Sequence, residues 1–193
     1  MPRVVERPKP PIDGPGKGLG GEENGGTFPL APGEVGLLVL LAAITSLFAA
    51  LVSAYLVRQG LPDWQALPKP SLLWFNTLLL LLASLALERA ARQEAWVKAR
   101  PWAWAGGFLG LGFLSGQLLA WELLLRLGYA PAGNPASAFF YLVTGLHGLH
   151  LLGGGVALAW TLAQKGRGLR LCAWYWHYLL SVWLLLFALF LWT

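Results

Sequence analysis

All three histidines of this chain lie in its last third. His147 and His150 sit three apart in the run FFYLVTGLHGLHLLGGG. His177 sits in WYWHYLLSVWLLLFALFLWT, which runs to the last residue. Both runs are apolar enough to cross a bilayer, and an imidazole in hydrocarbon is costly without a partner, so each is a functional candidate. Two chemistries fit. The rings could ligate a cofactor, or they could lock neighbouring helices together. A haem needs an axial histidine, often two on opposed helices. A copper or zinc site normally adds thiolate or carboxylate. The single cysteine, Cys172, lies at the wrong end of its helix for His147 and cannot form an internal disulfide. His147 and His150 lie about 60° apart round a helix, so both can face one neighbour. His177 shares its face with Trp174, Tyr178 and Ser181.

Other polar residues interrupt the apolar runs. Thr77, Ser84 and Glu88 recur at i, i+7 and i+11, which puts them on one helix face beside Asn76. That is a polar stripe for a neighbouring helix. Gln117 lies in the middle of a later run. Glu122 and Arg126 follow it as an i,i+4 ion pair in the favourable order. Gly106/Gly110 and Gly112/Gly116 are small-xxx-small pairs, and Gly145/Gly148 and Gly153–Gly155 suggest the same on the next run. Such pairs let helix backbones approach closely where hydrophobicity cannot drive association.

Five uncharged runs carry these residues, with Glu88, Glu122 and Arg126 just past their ends: Val35–Val57, Ser71–Leu87, Pro101–Trp121, Pro135–Gln164 and Leu171–Thr193. Each is near the ~20 residues that cross a hydrocarbon core as helix. The chain is 56% hydrophobic and 12% charged, against roughly 25% charged in soluble domains. The expected fold class is therefore an all-α integral membrane bundle of five transmembrane helices, spanning residues 33–193. Residues 1–32, rich in Pro and Gly, read as a flexible segment without a core and without the apolar stretch of a cleavable signal.

The net charge of +5 does not indicate a nucleic-acid partner, because the basic residues are scattered in short loops. Arg3, Arg7, Lys9 and Lys17 precede the first span. Arg89, Arg92, Lys98 and Arg100 lie between the second and third, and Lys165, Arg167 and Arg170 between the fourth and fifth. Only Arg58, Lys69 and Arg126 fall on the other side. The positive-inside rule puts the N-terminus in the cytoplasm and the C-terminus outside. Trp64, Trp74, Trp96, Trp102 and Trp192 fall near span ends, where indoles favour the interface. A small transporter is disfavoured. There is no internal repeat, no span broken by a central proline, and no intramembrane charge pair to be expected.

FFYLVTGLHGLHLLGG resembles the penultimate helix of subunit III of haem–copper terminal oxidases, as in cytochrome c oxidase, whose pattern is an aromatic pair followed by T-G-F-H-G-L-H. WYWHYLLSVWLLLFALFLW resembles the last helix of that family, W-Y-W-H-F-x-D-x-V-W-L-x-L-F. PSLLWFNTLLLLLASLALERA is similar to its P-L-x-N-T-x-L-L-x-S-S segment, GLGFLSGQLLAWE to G-x-x-F-L-x-x-Q-x-x-E-W, and LFAALVSAYLVR to F-F-x-G-L-F-A-A-Y. The resemblance runs in order from Glu34 to Thr193, with five helices as in the short bacterial forms.

The resemblance implies an accessory, non-redox subunit in a bacterial inner membrane. It would pack on catalytic subunit I and support that subunit's proton and oxygen access. The family subunit has no cofactor of its own. Haem and copper belong to the partner, and phospholipid is a bound component. His147, His150, His177, Gln117, Asn76, Gly145, Gly148, Gly112 and Gly116 would then be helix-packing residues. Three family acids are missing or moved. The helix 1 Glu, linked to lipid contact and proton uptake, falls at Ala43–Ile44. The helix 3 Glu falls at Ala120, with Glu122 displaced by two, and the last-helix Asp falls at Leu180. The alternatives are the related accessory protein of a nitric oxide reductase and a small membrane b-type cytochrome.

Overall fold

The computed structural model describes residues 31–68 and 71–192. The segment expected to be flexible lies outside these except for Ala31 and Pro32. Five helices follow: α1 (Pro32–Gln59), α2 (Leu72–Ala91), α3 (Trp96–Arg126), α4 (Pro135–Ala163) and α5 (Leu169–Trp192). All five are long and apolar enough to cross a membrane, and no strand occurs among the described residues. The helices overrun the uncharged stretches by up to a turn or two, because backbone hydrogen bonding continues into the polar flanks. In α3 this leaves Pro101 inside the helix.

Local chemistry sets the helix ends. Proline occupies the first turn of α1 and of α4, where the missing N–H has no intrahelical partner to lose. The Asn134 side chain caps α4 by accepting the Ala136 N–H at 2.9 Å. It also donates to the Gln65 carbonyl at 2.7 Å, tying the α1–α2 and α3–α4 loops at one end of the bundle. At that end Arg58 forks onto Asp63. This holds the Asp63 carboxyl below the usual aspartate range, chiefly through the hydrogen bond, so the pair persists until the pH falls well below neutral. At the opposite, basic end, Arg170 binds Glu34 at 2.8 Å and joins the starts of α5 and α1. Gly128 takes φ +87°, and the Tyr129 N–H returns to the Leu124 carbonyl. This left-handed stop for α3 suits glycine.

Helices α2, α3, α4 and α5 form a square in which each packs on its two neighbours, and α1 lies outside on the α4–α5 edge. Only 11% of the most apolar window of α1 is buried, against 50% for α5. The outermost helix is thus the first, and the central one is the last.

Apolar burial gives little drive inside lipid, so close approach and hydrogen bonds must hold the square. Gly106 fits against Leu87 and the Ala83 carbonyl, Gly110 lies under the Trp176 ring, and Gly116 lies under the Asn76 carboxamide. A methyl at any of these positions would overlap its neighbour. Gly112 is looser, with Leu79 as its neighbour. Across α3 and α4, a Cβ at Gly145 would stand 3.4 Å from Trp121, and one at Gly148 would stand 3.7 Å from Leu114.

One hydrogen-bond pattern recurs three times. A threonine gives its proton to the carbonyl four residues earlier, and its oxygen then accepts from an aromatic donor on another helix. Thr77 donates to Leu73 at 2.8 Å and accepts from Trp183 at 2.9 Å. Thr144 donates to Phe140 at 2.6 Å and accepts from Trp121 at 3.0 Å. Thr45 donates to Leu41 at 2.7 Å and meets the Tyr178 hydroxyl at 2.8 Å. The pattern joins α2 to α5, α4 to α3, and α1 to α5.

Thr77→Val keeps the shape but leaves the buried Trp183 N–H unpaired. The expected loss is about 1–3 kcal/mol, read as a lower midpoint of thermal unfolding in mild detergent. Thr77→Ser should recover most of it, and equal midpoints for the Val variant and the parent would contradict the pattern.

Candidate functional site

The three histidines do not share one space. His147 is fully buried on α4. Its ring lies between Phe48 of α1, Phe113 of α3 and Trp183 of α5, with centroids at 6.4, 5.8 and 5.4 Å. Neither ring nitrogen has a hydrogen-bond partner among the described residues. His150, one turn on, bonds through Nδ1 to its own helix at Leu146 at 2.7 Å, and its ring stands 5.6 Å from Phe48. Its carbonyl accepts the Tyr175 hydroxyl at 3.0 Å. Both imidazoles therefore flank Phe48, as their spacing suggests, but they make ring contacts there rather than hydrogen bonds.

His177 behaves differently. Its Nδ1 meets the Ser84 hydroxyl, and its Nε2 meets Glu88 Oε2 at 2.9 Å. Glu88 Oε1 accepts from Arg92 Nε at 2.7 Å. A continuous chain thus runs from an exposed arginine at the basic end to a buried serine. The stripe Thr77, Ser84 and Glu88 meets α5 at every member, through Trp183, His177 and His177 again. This acid–base pair at the end of α2 corrects the expectation of no such pair in the spans. Glu88 turns towards α5 in the last turn of its helix, while Arg92 covers its other oxygen.

Asn76 and Gln117 come together at the α2–α3 contact, with Asn76 Nδ2 donating to Gln117 Oε1 at a long 3.5 Å. Asn76 Oδ1 and Gln117 Nε2 have no partner among the described residues. Glu122 and Arg126 pair as spaced, at 2.6 Å, and are exposed. At the three positions where the resemblance places acids, Ile44, Ala120 and Leu180 are buried apolar side chains. Among the described residues, no three His, Cys, Asp or Glu side chains converge as a metal ligand set.

A further feature is a lateral slot of about 750 Å³ between α3 and α4. Gly107 and Gly155 are among its lining residues; a Cβ at Gly107 would stand 3.3 Å from Leu158, and one at Gly155 would touch nothing within 4 Å. Leu111 and Val156 line it, Trp176 closes its depth, and Trp96, Trp104, Arg100 and Lys165 stand towards the basic end. The slot was not read from the sequence. The glycines that line it are visible in the sequence, but only the pairing of α3 with α4 makes them part of one opening.

No protein-family model matches the chain. Among curated proteins it is similar to cytochrome c oxidase subunit 3 of Thermostichus vulcanus, at 30% identity over 172 residues, covering 80% of this chain and 84% of that protein. The protein of the same name from Synechocystis sp. is 28% identical, over 80% of this chain and 72% of its own length. That from Bacillus sp. strain PS3 is 27% identical, over 84% and 91% respectively.

The contrast between two histidines is testable. His147→Phe replaces a ring without hydrogen bonds by one of similar shape, so stability should stay within about 1 kcal/mol of the parent or rise. His177→Phe strands Glu88 and Ser84 and should cost about 1 kcal/mol, held down by the partial exposure of the pair. Unfolding midpoints of the two variants in the same detergent would check both.

Proposed function

This chain belongs to the cytochrome c oxidase subunit 3 family, and on that premise we propose that it packs on the haem-bearing catalytic subunit, subunit I, of a terminal oxidase. The chain is an accessory subunit of a haem–copper oxidase complex and a multi-pass protein of the bacterial inner membrane. The observation that carries the reading is the 30% identity to the Thermostichus vulcanus protein across most of both chains. The names of the relatives favour an oxidase over a nitric oxide reductase or a free b-type cytochrome. In this reading haem and copper lie in the partner, and this chain steadies that subunit's proton and oxygen access during turnover.

Two finer points belong to the same proposal. The basic end faces the cytoplasm, supported by the loop arginines and lysines; the C-terminus is then outside. The α3–α4 slot holds a phospholipid. Its apolar walls suit acyl chains, and Arg100 and Lys165 suit an anionic headgroup phosphate, with Trp96 and Trp104 at interfacial depth. Residues 33–193 form the family domain. His147, His150, His177, Asn76, Gln117 and the glycines 112, 116, 145 and 148 serve helix packing.

A tagged copy extracted from its native membranes in mild detergent should bring down a large haem-bearing subunit with oxidase activity. Recovery of the chain alone, or with its own haem band, would refute the reading. His150→Leu should lower the yield of complex and leave the haem spectrum of what does assemble unchanged. Native mass spectrometry of the complex should show a retained anionic phospholipid. The double variant Arg100→Gln/Lys165→Gln should lose roughly thirtyfold in affinity for it, about 1 kcal/mol for each charge.

A further inference from the structure

The bundle has a second lateral surface of different character. Helices α1 and α2 both pack on α5, but among the described residues they do not pack on each other. A groove therefore runs along α5 between them. Its floor is the exposed stripe Trp174, Ser181, Leu185 and Ala188, which recurs at helical spacing. Tyr178 leans to the α1 wall and meets Thr45, while His177 leans to the α2 wall and meets Ser84 and Glu88. Ser181 lies midway between the walls.

Proton accounting shows what this groove offers. Thr45 spends its hydroxyl proton on the Leu41 carbonyl, so at the 2.8 Å contact Tyr178 must be the donor. Ser181 spends its proton on the His177 carbonyl at 2.9 Å. A hydroxyl that has given its one proton keeps lone pairs to accept with. At Thr45 and Ser181 the groove therefore presents hydroxyl acceptors at membrane depth. Acyl chains have nothing to donate to them. A protein helix carrying an indole, amide or hydroxyl donor does. The α3–α4 slot is the opposite case, apolar along its length with its cations gathered at one end. On the α1 wall, Ala42 and Ala49 stand exposed a turn either side of Thr45, which leaves room for a neighbouring backbone.

We infer that the α1–α5–α2 groove seats one transmembrane helix of the catalytic subunit, a helix bearing a hydrogen-bond donor at the level of Ser181. The inference rests on the family reading above and adds the face on which the partner sits. The slot side is left to lipid.

The test is site-specific photo-crosslinking in the intact complex in native membranes. A benzophenone amino acid is placed singly at Ser181 and Ala49 in the groove, and at Leu111 and Val156 on the slot side. Membrane levels of each variant confirm that the chain inserts. The groove positions should join this chain to the haem-bearing subunit, and the slot positions should give only lipid adducts. Crosslinks to that subunit from Leu111 or Val156, with Ser181 and Ala49 silent, would overturn the inference and leave the family reading intact. So would a groove that crosslinks to lipid alone or to a second copy of this chain. A preparation that holds no haem-bearing subunit would overturn both.

Discussion

The square of helices is organised round one indole. Trp183 is fully buried on α5. Its N–H reaches Thr77 of α2, its ring meets Phe113 of α3 edge-on at 4.8 Å, and it lies against His147 of α4 at 5.4 Å. A single side chain thus touches both neighbours of its own helix in the square and the helix diagonally opposite. Lipid tails are as apolar as leucine, so a helix gains little by hiding apolar surface. What it can gain is dense ring contact and a satisfied donor, and Trp183 supplies both. Helix α1 reaches this centre only at second hand, through Phe48 against His147, in keeping with its outer place.

A buried donor without an acceptor is expensive in hydrocarbon, and an aromatic N–H or O–H cannot satisfy itself. The threonine pattern answers that constraint. Threonine can discharge its own proton within its helix and still accept from outside, so the aromatic donor finds a partner without leaving another proton stranded. Tyr175 and Trp176 use backbone instead, donating to the carbonyls of His150 and Gly154, which Gly154 allows by lacking a side chain. His147, Asn76 and Gln117 show the other side of the balance. Each keeps buried polar atoms unpaired among the described residues, and each is held by close packing instead.

The same placement of small residues divides the exterior. Where glycines of α3 face α2 they are filled by Leu87 and Asn76, and the contact is tight. Where Gly155 of α4 lies beside α3, no side chain fills the space, and a slot remains. On α5 the outward stripe carries hydroxyls whose protons are already committed. One protein therefore shows the membrane an apolar opening on one side and a groove bearing hydroxyl acceptors on another.

Much of this was legible without the structure, because it is local. Five spans follow from runs of apolar residues, and the basic end of the bundle from where the arginines and lysines fall. The face shared by Thr77, Ser84 and Glu88 follows from helical period, and close approach by α3 follows from its glycine pairs. The packing decided the rest. His147 and His150 look alike in the sequence, and only the neighbours brought by α1, α3 and α5 surround one with rings and leave the other bonded to its own helix. His177 gains a carboxylate because α2 and α5 happen to be adjacent, 89 residues apart in the chain. The slot exists only where α3 and α4, distant in the chain, come side by side. A period along one helix states which residues share a face; which helix that face meets is set by contacts between segments far apart in the chain, and those arise only when the bundle closes.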